Sequence, residues 1–166
     1  MNIFLADAAA TAALAERLCR CLPDDTVGWT VLLEGELGAG KSTFARALLR
    51  GFGHEGVVPS PTYTLVEPYR LPGRLVYHID LYRIAAEEEL RYLGFNELER
   101  GLRLIEWPDR APGLATAADV KITLRYQDAG RAATIAGLSD RGRRLVAALS
   151  GKAETESPDE LSPLSS

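Results

Sequence analysis

Residues 35–42 read Gly35-Glu36-Leu37-Gly38-Ala39-Gly40-Lys41-Ser42. They fit without a gap the pattern G-x-x-x-x-G-K-[ST], in which glycines let consecutive backbone N–H groups turn onto phosphate oxygens. An apolar run over residues 29–33 precedes the loop, and a helix-like stretch over residues 43–50 follows it and stops at Gly51. Strand, glycine loop and helix are the order that this chemistry needs. The stretch therefore predicts a nucleotide-binding site in an α/β domain.

The polar residues of the loop have predicted roles. Lys41 is expected to reach the β- and γ-phosphates, and the Ser42 hydroxyl is expected to ligate Mg²⁺. Further nucleotide contacts are predicted along the loop and at the start of its helix, at Gly38, Ala39, Gly40 and Thr43. The pattern thus implies a nucleotide and Mg²⁺ as cofactors.

The composition favours one domain of ordinary size. The chain has 166 residues, of which 46% are hydrophobic, enough for a real core. Its net charge of −4 comes mostly from residues 152–166, where four carboxylates accompany Lys152. The body is close to neutral, which argues against a broad basic surface for nucleic acid. We expect a domain over residues 1–150 and a disordered acidic tail over residues 151–166.

The sequence predicts neither secretion, nor a membrane span, nor a disulfide. The first positive side chain is Arg17, so the N-terminus lacks the basic region of a signal peptide. No apolar run approaches the roughly 18 residues that span a membrane. Cys19 and Cys21 are the only cysteines, and their i to i+2 spacing on a predicted helix points their side chains apart. A cytoplasmic protein without a membrane partner is expected.

Hydrophobic periodicity and turn residues predict the other elements. In chain order they are a helix over 11–22, a hairpin of strands over 62–69 and 74–80, short helices over 87–93 and 95–100, strands over 102–107, 119–126 and 131–135, and a helix over 140–149. Thr11 is the expected N-cap of the first helix, and left-handed Gly94 and Gly101 are expected to close the short ones. The fold class is α/β: a single-domain P-loop NTPase whose mostly parallel central sheet is flanked by helices and carries an antiparallel hairpin.

Two carboxylates are candidates for a metal site. Asp80 ends an apolar run that resembles a Walker B strand, and Glu106 ends the run over residues 102–105. Ligands of open α/β sheets gather beyond the carboxyl ends of the strands, so both can face one phosphate site. The structural alternative is an acidic residue that caps the turn after its strand.

Four other residues have a functional and a structural interpretation. Thr62 follows rigid backbone and is either a sensor of the γ-phosphate or a threonine at a strand start. Arg83 either neutralises phosphate charge, binds a partner carboxylate or forms a surface ion pair. Trp107 either flanks the site or belongs to the core. His78 shares a strand face with Asp80 and is predicted to be a packed histidine rather than a ligand.

Two motifs that the sequence lacks narrow the class of nucleotide-binding protein. The only asparagines are Asn2 and Asn96, and neither is followed by Lys, so the Asn-Lys-x-Asp reader of guanine is missing. The residues after Asp80 also lack the Asp-x-x-Gly switch, which argues against a GTPase. A small-molecule kinase stays open, because residues 87–100 could supply its lid.

Several motifs in fixed order resemble one family. They are residues 33–44 around the loop, Ser60-Pro61-Thr62-Tyr63, His78-Ile79-Asp80-Leu81-Tyr82-Arg83, Leu93-Gly94 and Leu104-Ile105-Glu106-Trp107-Pro108. Their order and spacing resemble the TsaE family, formerly YjeE, over roughly residues 5 to 150. Two departures are Ser42, where the family often has threonine, and the acidic tail.

The resemblance implies a bacterial P-loop ATPase that supports formation of N6-threonylcarbamoyladenosine at position 37 of tRNAs reading codons that begin with A. Such an ATPase acts with TsaD and TsaB, is slow alone and meets tRNA through the complex. The implied roles are phosphate contact for Lys41, Mg²⁺ ligation for Ser42 and Glu106, and a Walker B carboxylate at Asp80. Other implied positions are Thr62 in a switch-like loop and nucleotide contacts at Thr11 and Arg131. A nucleotide-dependent assembly module with little hydrolysis is a second alternative to the ATPase.

Overall fold

The central strands of the fold are short apolar runs, as expected where helices cover both faces of parallel strands. A computed structural model describes residues 1–151. The strands are β1 (Asn2–Leu5), β2 (Thr30–Gly35), β3 (Val66–Leu71), β4 (Arg74–Asp80), β5 (Leu102–Glu106), β6 (Val120–Gln127) and β7 (Gly130–Gly137). The α-helices are α1 (Ala8–Cys21), α2 (Lys41–Gly51) and α3 (Asp140–Leu149). Four 3₁₀ helices lie at Glu87–Leu93, Phe95–Arg100, Pro108–Arg110 and Pro112–Thr116.

The strands form one seven-stranded mixed sheet in the order β1-β7-β6-β2-β5-β4-β3. The four central strands β6, β2, β5 and β4 are parallel, while β3, β7 and β1 pair antiparallel with their neighbours. This confirms the α/β prediction and the hairpin of β3 and β4. In the register of β4 and β5, Asp80 lies opposite Glu106. Both predicted carboxylates therefore stand at the same edge of the sheet.

The sheet separates two cores, because successive side chains of a strand point to opposite faces. On β2, Val31 and Leu33 pack in the larger core with α1, α2 and α3, and Leu32 packs in the smaller core with the 3₁₀ segments. The three α-helices thus cover one face, on which α2 continues directly from the glycine loop.

The start of the first helix differs from the prediction. Helix α1 begins at Ala8, and the Asp7 side chain caps it by accepting a hydrogen bond from the Ala10 amide at 2.8 Å. Thr11 is therefore not the N-cap; it lies in the first turn, where its hydroxyl donates to the Asp7 carbonyl. At this position Thr11 lies beside the glycine loop: a Cβ at Gly40 would lie 3.6 Å from Cγ2 of Thr11.

Two other predictions needed correction. Strand β3 begins at Val66 rather than at residue 62, because Leu65 takes a left-handed conformation, φ 64°, that interrupts extended backbone. Gly94 closes its helix in the left-handed conformation as predicted, but Gly101 is extended, φ −142°. A Cβ at Gly101 would lie 2.5 Å from the Leu75 carbonyl oxygen, so close approach of β4 is what requires glycine there.

The short strand β1 was not predicted, whereas β2, β4 to β7, α2, the two short helices and α3 follow the predicted order with small boundary changes. Within residues 1–151 no helix has the length and apolar character that a membrane span requires. The predicted tail lies outside the described residues, apart from Gly151.

Candidate functional site

The glycine loop is built from backbone conformations that a side chain would not allow. Gly35, Gly38 and Gly40 all have positive φ, and Gly40 is the N-cap of α2 at φ 109°. A Cβ at Gly35 would lie 2.5 Å from the Leu124 carbonyl oxygen of β6. On the outer side of the loop, the Tyr126 hydroxyl donates to the Leu37 carbonyl at 2.9 Å. The loop is therefore fixed against β6 and leads directly into the N-terminus of α2.

A cavity of about 280 Å³ lies between this loop and the carboxyl ends of β4 and β5. We call it the phosphate cavity. It brings together eight of the predicted site residues, which are Gly38, Gly40, Lys41, Ser42, Thr43, Thr62, Asp80 and Glu106. Ser60, Tyr82 and Trp107 also line it.

Lys41 is folded onto its own loop. Its Nζ donates to the carbonyl oxygens of Gly35 at 2.6 Å and Glu36 at 2.9 Å, and it lies 4.1 Å from the centre of the Trp107 ring. Burial lowers the pKa of Lys41, while the charges of Glu106 and Asp80 act in the opposite direction. The ammonium is thus held inside the cavity by neutral oxygens and an aromatic face. A charged phosphate could replace these neutral contacts.

Asp80 is the centre of a hydroxyl network. Its side chain is 2% exposed, and its Oδ1 accepts from the Tyr82 amide at 2.8 Å. Its Oδ2 accepts from the Thr62 hydroxyl at 3.0 Å, with the Ser60 hydroxyl 3.5 Å away. The Ser60 and Thr62 hydroxyls lie 2.9 Å apart. Asp80 therefore connects strand β4 to the segment that precedes β3.

Glu106 is equally buried, at 2% exposed, and its Oε1 lies 2.7 Å from Nε2 of His78. Within residues 1–151, neither Glu106 nor Asp80 forms an ion pair with a lysine or arginine. Two buried carboxylates side by side repel each other unless a cation joins them. The site is therefore electrostatically prepared for a positive ion with oxygen ligands.

A second cavity, of about 290 Å³, lies on the other side of the loop. Its lining includes Thr11, Ala39 and Arg131, and it shares Gly38, Gly40 and Thr43 with the phosphate cavity. The Arg131 guanidinium donates to the Gly38 carbonyl at 3.3 Å and stacks 4.1 Å from the centre of the Tyr126 ring. We call this the side cavity; it contains the predicted positions that the phosphate cavity lacks.

The structure separates the two interpretations of several residues. Trp107 is half-buried with φ 58°; it flanks the phosphate cavity and also packs against the smaller core, so both interpretations apply to it. Arg83 stacks 4.1 Å from the centre of the exposed Tyr63 ring and does not line the cavity. His78 is packed, as predicted, but it also contacts Glu106, which sequence reasoning did not foresee.

Sequence reasoning also missed Ser60 and Tyr82 as cavity residues. Both stand two positions from a predicted site residue, Thr62 or Asp80, and both belong to the motifs quoted above. Their closeness in sequence to Thr62 and Asp80 is the signal that was available for them, since the turns at residues 61–64 and 82–83 bring them to the cavity.

Comparisons with known proteins identify the family and the fold of the chain. A family model described as "Threonylcarbamoyl adenosine biosynthesis protein TsaE" matches residues 5–133. The tRNA threonylcarbamoyladenosine biosynthesis protein TsaE of Haemophilus influenzae is 41% identical over 122 residues, covering 72% of this chain and 77% of that protein. The protein of the same name from a Nostoc species is 38% identical over 135 residues, covering 78% and 80%.

A solved structure has the same fold. The crystal structure of Bacillus subtilis YdiB superposes with a TM-score of 0.74 and 25% sequence identity, over 91% of this chain and 94% of that one. Together with the family match over most of the described residues, this shows that the chain belongs to the TsaE family of threonylcarbamoyl adenosine biosynthesis proteins.

Proposed function

We propose that the chain binds and hydrolyses Mg-ATP in support of N6-threonylcarbamoyladenosine formation at position 37 of tRNAs that read codons beginning with A. It would act with TsaD and TsaB and meet tRNA through that complex. The observation that carries the ATPase proposal is the pair of buried carboxylates, Asp80 and Glu106, beside Lys41 of a phosphate loop; among the described residues neither forms an ion pair with a lysine or arginine. Family membership supports the tRNA part of the proposal.

The donor set fits Mg²⁺. Ser42, Glu106 and Asp80 offer a hydroxyl and carboxylate oxygens, which this hard cation prefers. Within residues 1–151, no group of three or more His, Cys, Asp or Glu side chains is arranged to hold a metal without help. Mg²⁺ commonly binds through one or two carboxylates plus substrate phosphates, so a partial protein site is the expected form. When bound, the ion would neutralise charge on the β- and γ-phosphate oxygens.

The chain's own residues would bind the phosphates, sense the γ-phosphate and contact the nucleoside. Lys41 would leave the loop carbonyls for the phosphates, an exchange of neutral acceptors for charged ones. Asp80 would hold the Thr62 hydroxyl, so that the Ser60–Tyr63 segment senses the γ-phosphate. Thr11, Thr43 and Arg131 would contact the nucleoside side of the ligand from the side cavity.

We expect slow hydrolysis by the isolated chain. Arg83 and Arg131 rest on the rings of Tyr63 and Tyr126, which leaves Lys41 as the cationic side chain in the phosphate cavity. Transition-state charge at the γ-phosphate would then be incompletely neutralised. An arginine supplied in trans raises such rates by roughly 10³- to 10⁵-fold, which makes partner stimulation the natural expectation.

The kinase alternative requires an acceptor pocket that opens onto the γ-phosphate. An open groove of about 700 Å³ lies beside residues 87–97, but it shares no lining residue with the phosphate cavity. Its lining contains three glutamates, Glu87, Glu88 and Glu97, against one arginine, Arg91, so its net negative charge would also disfavour phosphorylated acceptors. These observations favour hydrolysis over transfer to a small molecule.

The direct test is phosphate release from Mg-ATP by the purified chain, alone and with TsaD and TsaB from the same organism. Lys41→Ala is the blank, because it removes the cation of the phosphate cavity. We expect slow release that the pair stimulates. Unstimulated release without complex formation would contradict the role in tRNA modification, and a phosphorylated small-molecule product would favour a kinase.

The assembly-module alternative is tested by Glu106→Ala. If this variant still binds ATP and both partners but does not support tRNA modification, hydrolysis is required. If modification survives the loss of hydrolysis, the chain works as a nucleotide-dependent assembly module.

A further inference from the structure

His78 is a buried polar side chain that the proposed function does not use. The residue is 1% exposed, and its Nε2 lies 2.7 Å from Oε1 of Glu106. Its other ring nitrogen, Nδ1, is buried and has no hydrogen-bond partner among residues 1–151. Among residues 1–151, the one hydrogen-bond partner of His78 is therefore a carboxylate that lines the phosphate cavity.

The two nitrogens together indicate which one carries hydrogen. If Nδ1 carried it, a buried N–H donor would be left without an acceptor, and Nε2 would direct a lone pair at the Glu106 carboxylate. If Nε2 carries it, the N–H donates to Oε1 and only a lone pair remains unpaired at Nδ1. The second arrangement avoids both an unpaired donor and a repulsive contact, so the surroundings favour hydrogen on Nε2.

The strand register explains why this contact restricts Glu106. On β4, His78 and Asp80 are two positions apart and share a face; Asp80 lies opposite Glu106 across the ladder, and His78 lies opposite Leu104. His78 therefore reaches Glu106 diagonally, as cross-strand neighbours do. A donor on Oε1 engages one oxygen of Glu106; among residues 1–151 no hydrogen bond reaches Oε2, which can therefore bind a ligand.

We propose that His78 is a positioning residue: its Nε2–H fixes the Glu106 carboxylate so that one oxygen is presented to the magnesium of bound Mg-ATP. The inference rests on the proposed function, because it assigns His78 to the same site. Partners that orient a metal ligand typically contribute roughly 10- to 100-fold to metal affinity or activity.

Two nearly isosteric variants separate positioning from packing. His78→Gln keeps an N–H donor at about the distance of Nε2, and His78→Met fills similar space without a donor. The readout is binding of a fluorescent ATP analogue with Mg²⁺ and with EDTA. We expect Mg²⁺ to tighten binding in the wild type and in His78→Gln, and this tightening to fall by roughly 10-fold or more in His78→Met. Affinity in EDTA should be equal in all three proteins.

Equal Mg²⁺ tightening in His78→Met and the wild type would overturn the proposal. So would an equal loss in both variants, because that result would assign His78 to packing. A wild-type protein that does not bind the analogue under any condition would instead overturn the proposed function, and with it the role of Glu106 toward magnesium.

A second measurement needs no substitution at His78, so it holds even where His78→Met does not fold. The chain contains two histidines, and His54→Gln assigns the ¹⁵N imidazole signals of the other. We expect the His78 hydrogen on Nε2 in the wild-type protein. A His78 ring with hydrogen on Nδ1 and none on Nε2 could not donate to Glu106, and would overturn the proposal.

Discussion

Two clusters of buried charge lie at opposite ends of the central strands, and they are built differently. At the amino end, Asp119 precedes β6 and accepts from the Arg141 guanidinium at 2.7 and 2.8 Å, from the Ser139 hydroxyl at 2.6 Å and from the Thr30 amide at 3.0 Å. At the carboxyl end, Asp80 accepts from one backbone amide and from hydroxyls, and Glu106 lies 2.7 Å from the His78 imidazole.

The difference shows at which end of the sheet the buried charges are paired by side chains, and at which end a ligand is required to pair them. The amino-end cluster pairs a carboxylate with a guanidinium and satisfies both, so it joins α3 and β6 to β2 without outside help. At the carboxyl end, the nearest lysine donates to loop carbonyls rather than to the carboxylates. Buried charge without a countercharge is destabilising, and functional sites commonly retain it.

The largest effect should come from removing charge at the carboxyl end. Glu106→Gln keeps an oxygen for His78 but removes a proposed Mg²⁺ ligand, so hydrolysis should fall by roughly 10²- to 10³-fold, the scale for losing one electrostatic contact to the transition state. Phosphate release measures this. Glu34→Gln is the matched control, since Glu34 is the last carboxylate of β2, one residue before its end, but pairs with Lys121 at 3.3 Å. An equal loss in both variants would contradict the distinction between the two carboxylates.

At the amino end, removal of a charged side chain should lower the stability of the protein rather than its rate of hydrolysis. Asp119→Ala leaves Arg141 and the Thr30 amide without their acceptor, and should lower the free energy of unfolding by about 2 to 3 kcal/mol. This is less than for a fully buried pair, because the Arg141 side chain is 39% exposed. Urea unfolding measures the change, with Asp24→Ala at an exposed loop position as the control. Equal stability of the two variants would refute a structural role for Asp119.

A substitution at the carboxyl end should change stability in the opposite direction. Without nucleotide, Glu106→Gln removes one of two adjacent buried carboxylates, and should raise the free energy of unfolding by about 1 kcal/mol. Thermal unfolding of the nucleotide-free protein measures this. A variant less stable than the wild type would show that the negative charge of Glu106 is already balanced by other groups of the chain. The contrast between the two clusters would then not hold.

The smallest effect concerns how far the free energy of unfolding declines at acid pH. Burial alone would raise the pKa of Asp119, but hydrogen bonds from Arg141, Ser139 and the Thr30 amide outweigh it, and the pKa lies below its ordinary value of 3.8. The stability from this group is therefore present in full above pH 3.8 and is lost as the pH falls through the folded-state pKa. Asp119→Asn should show a shallower acid decline in urea unfolding than the wild type. Parallel declines would mean that Asp119 does not titrate differently on folding.

Much of the fold and site could be predicted, because local patterns determine them. The glycine loop can be recognised from its own eight residues. Asp80 and Glu106 were predicted to face one site because ligands gather beyond the carboxyl ends of strands, and both line the phosphate cavity. Asp7 and Thr11 are both acceptable caps, so the start of α1 could not be decided by residue type. The four residues of β1 carry too little periodicity to be recognised.

The remaining features depend on tertiary register. His78 contacts Glu106 because β4 and β5 pair with Asp80 opposite Glu106, an alignment that neither strand encodes alone. The start of β3 depends on the left-handed Leu65, whose carbonyl accepts from the Asp80 amide across the hairpin. Similarly, Arg141 meets Asp119 only after α3 packs beside β7. Long-range pairing therefore creates the contacts that distinguish the two clusters.

The most direct test of the central claim is calorimetric titration of the purified chain with ATP, with Mg²⁺ and with EDTA, for the wild type and Glu106→Gln. The carboxyl-end cluster should make wild-type affinity depend on Mg²⁺, and Glu106→Gln should bind ATP with that dependence largely removed. Wild-type binding that is indifferent to Mg²⁺, or an unchanged dependence in Glu106→Gln, would contradict the assignment of the buried carboxylates to a magnesium nucleotide.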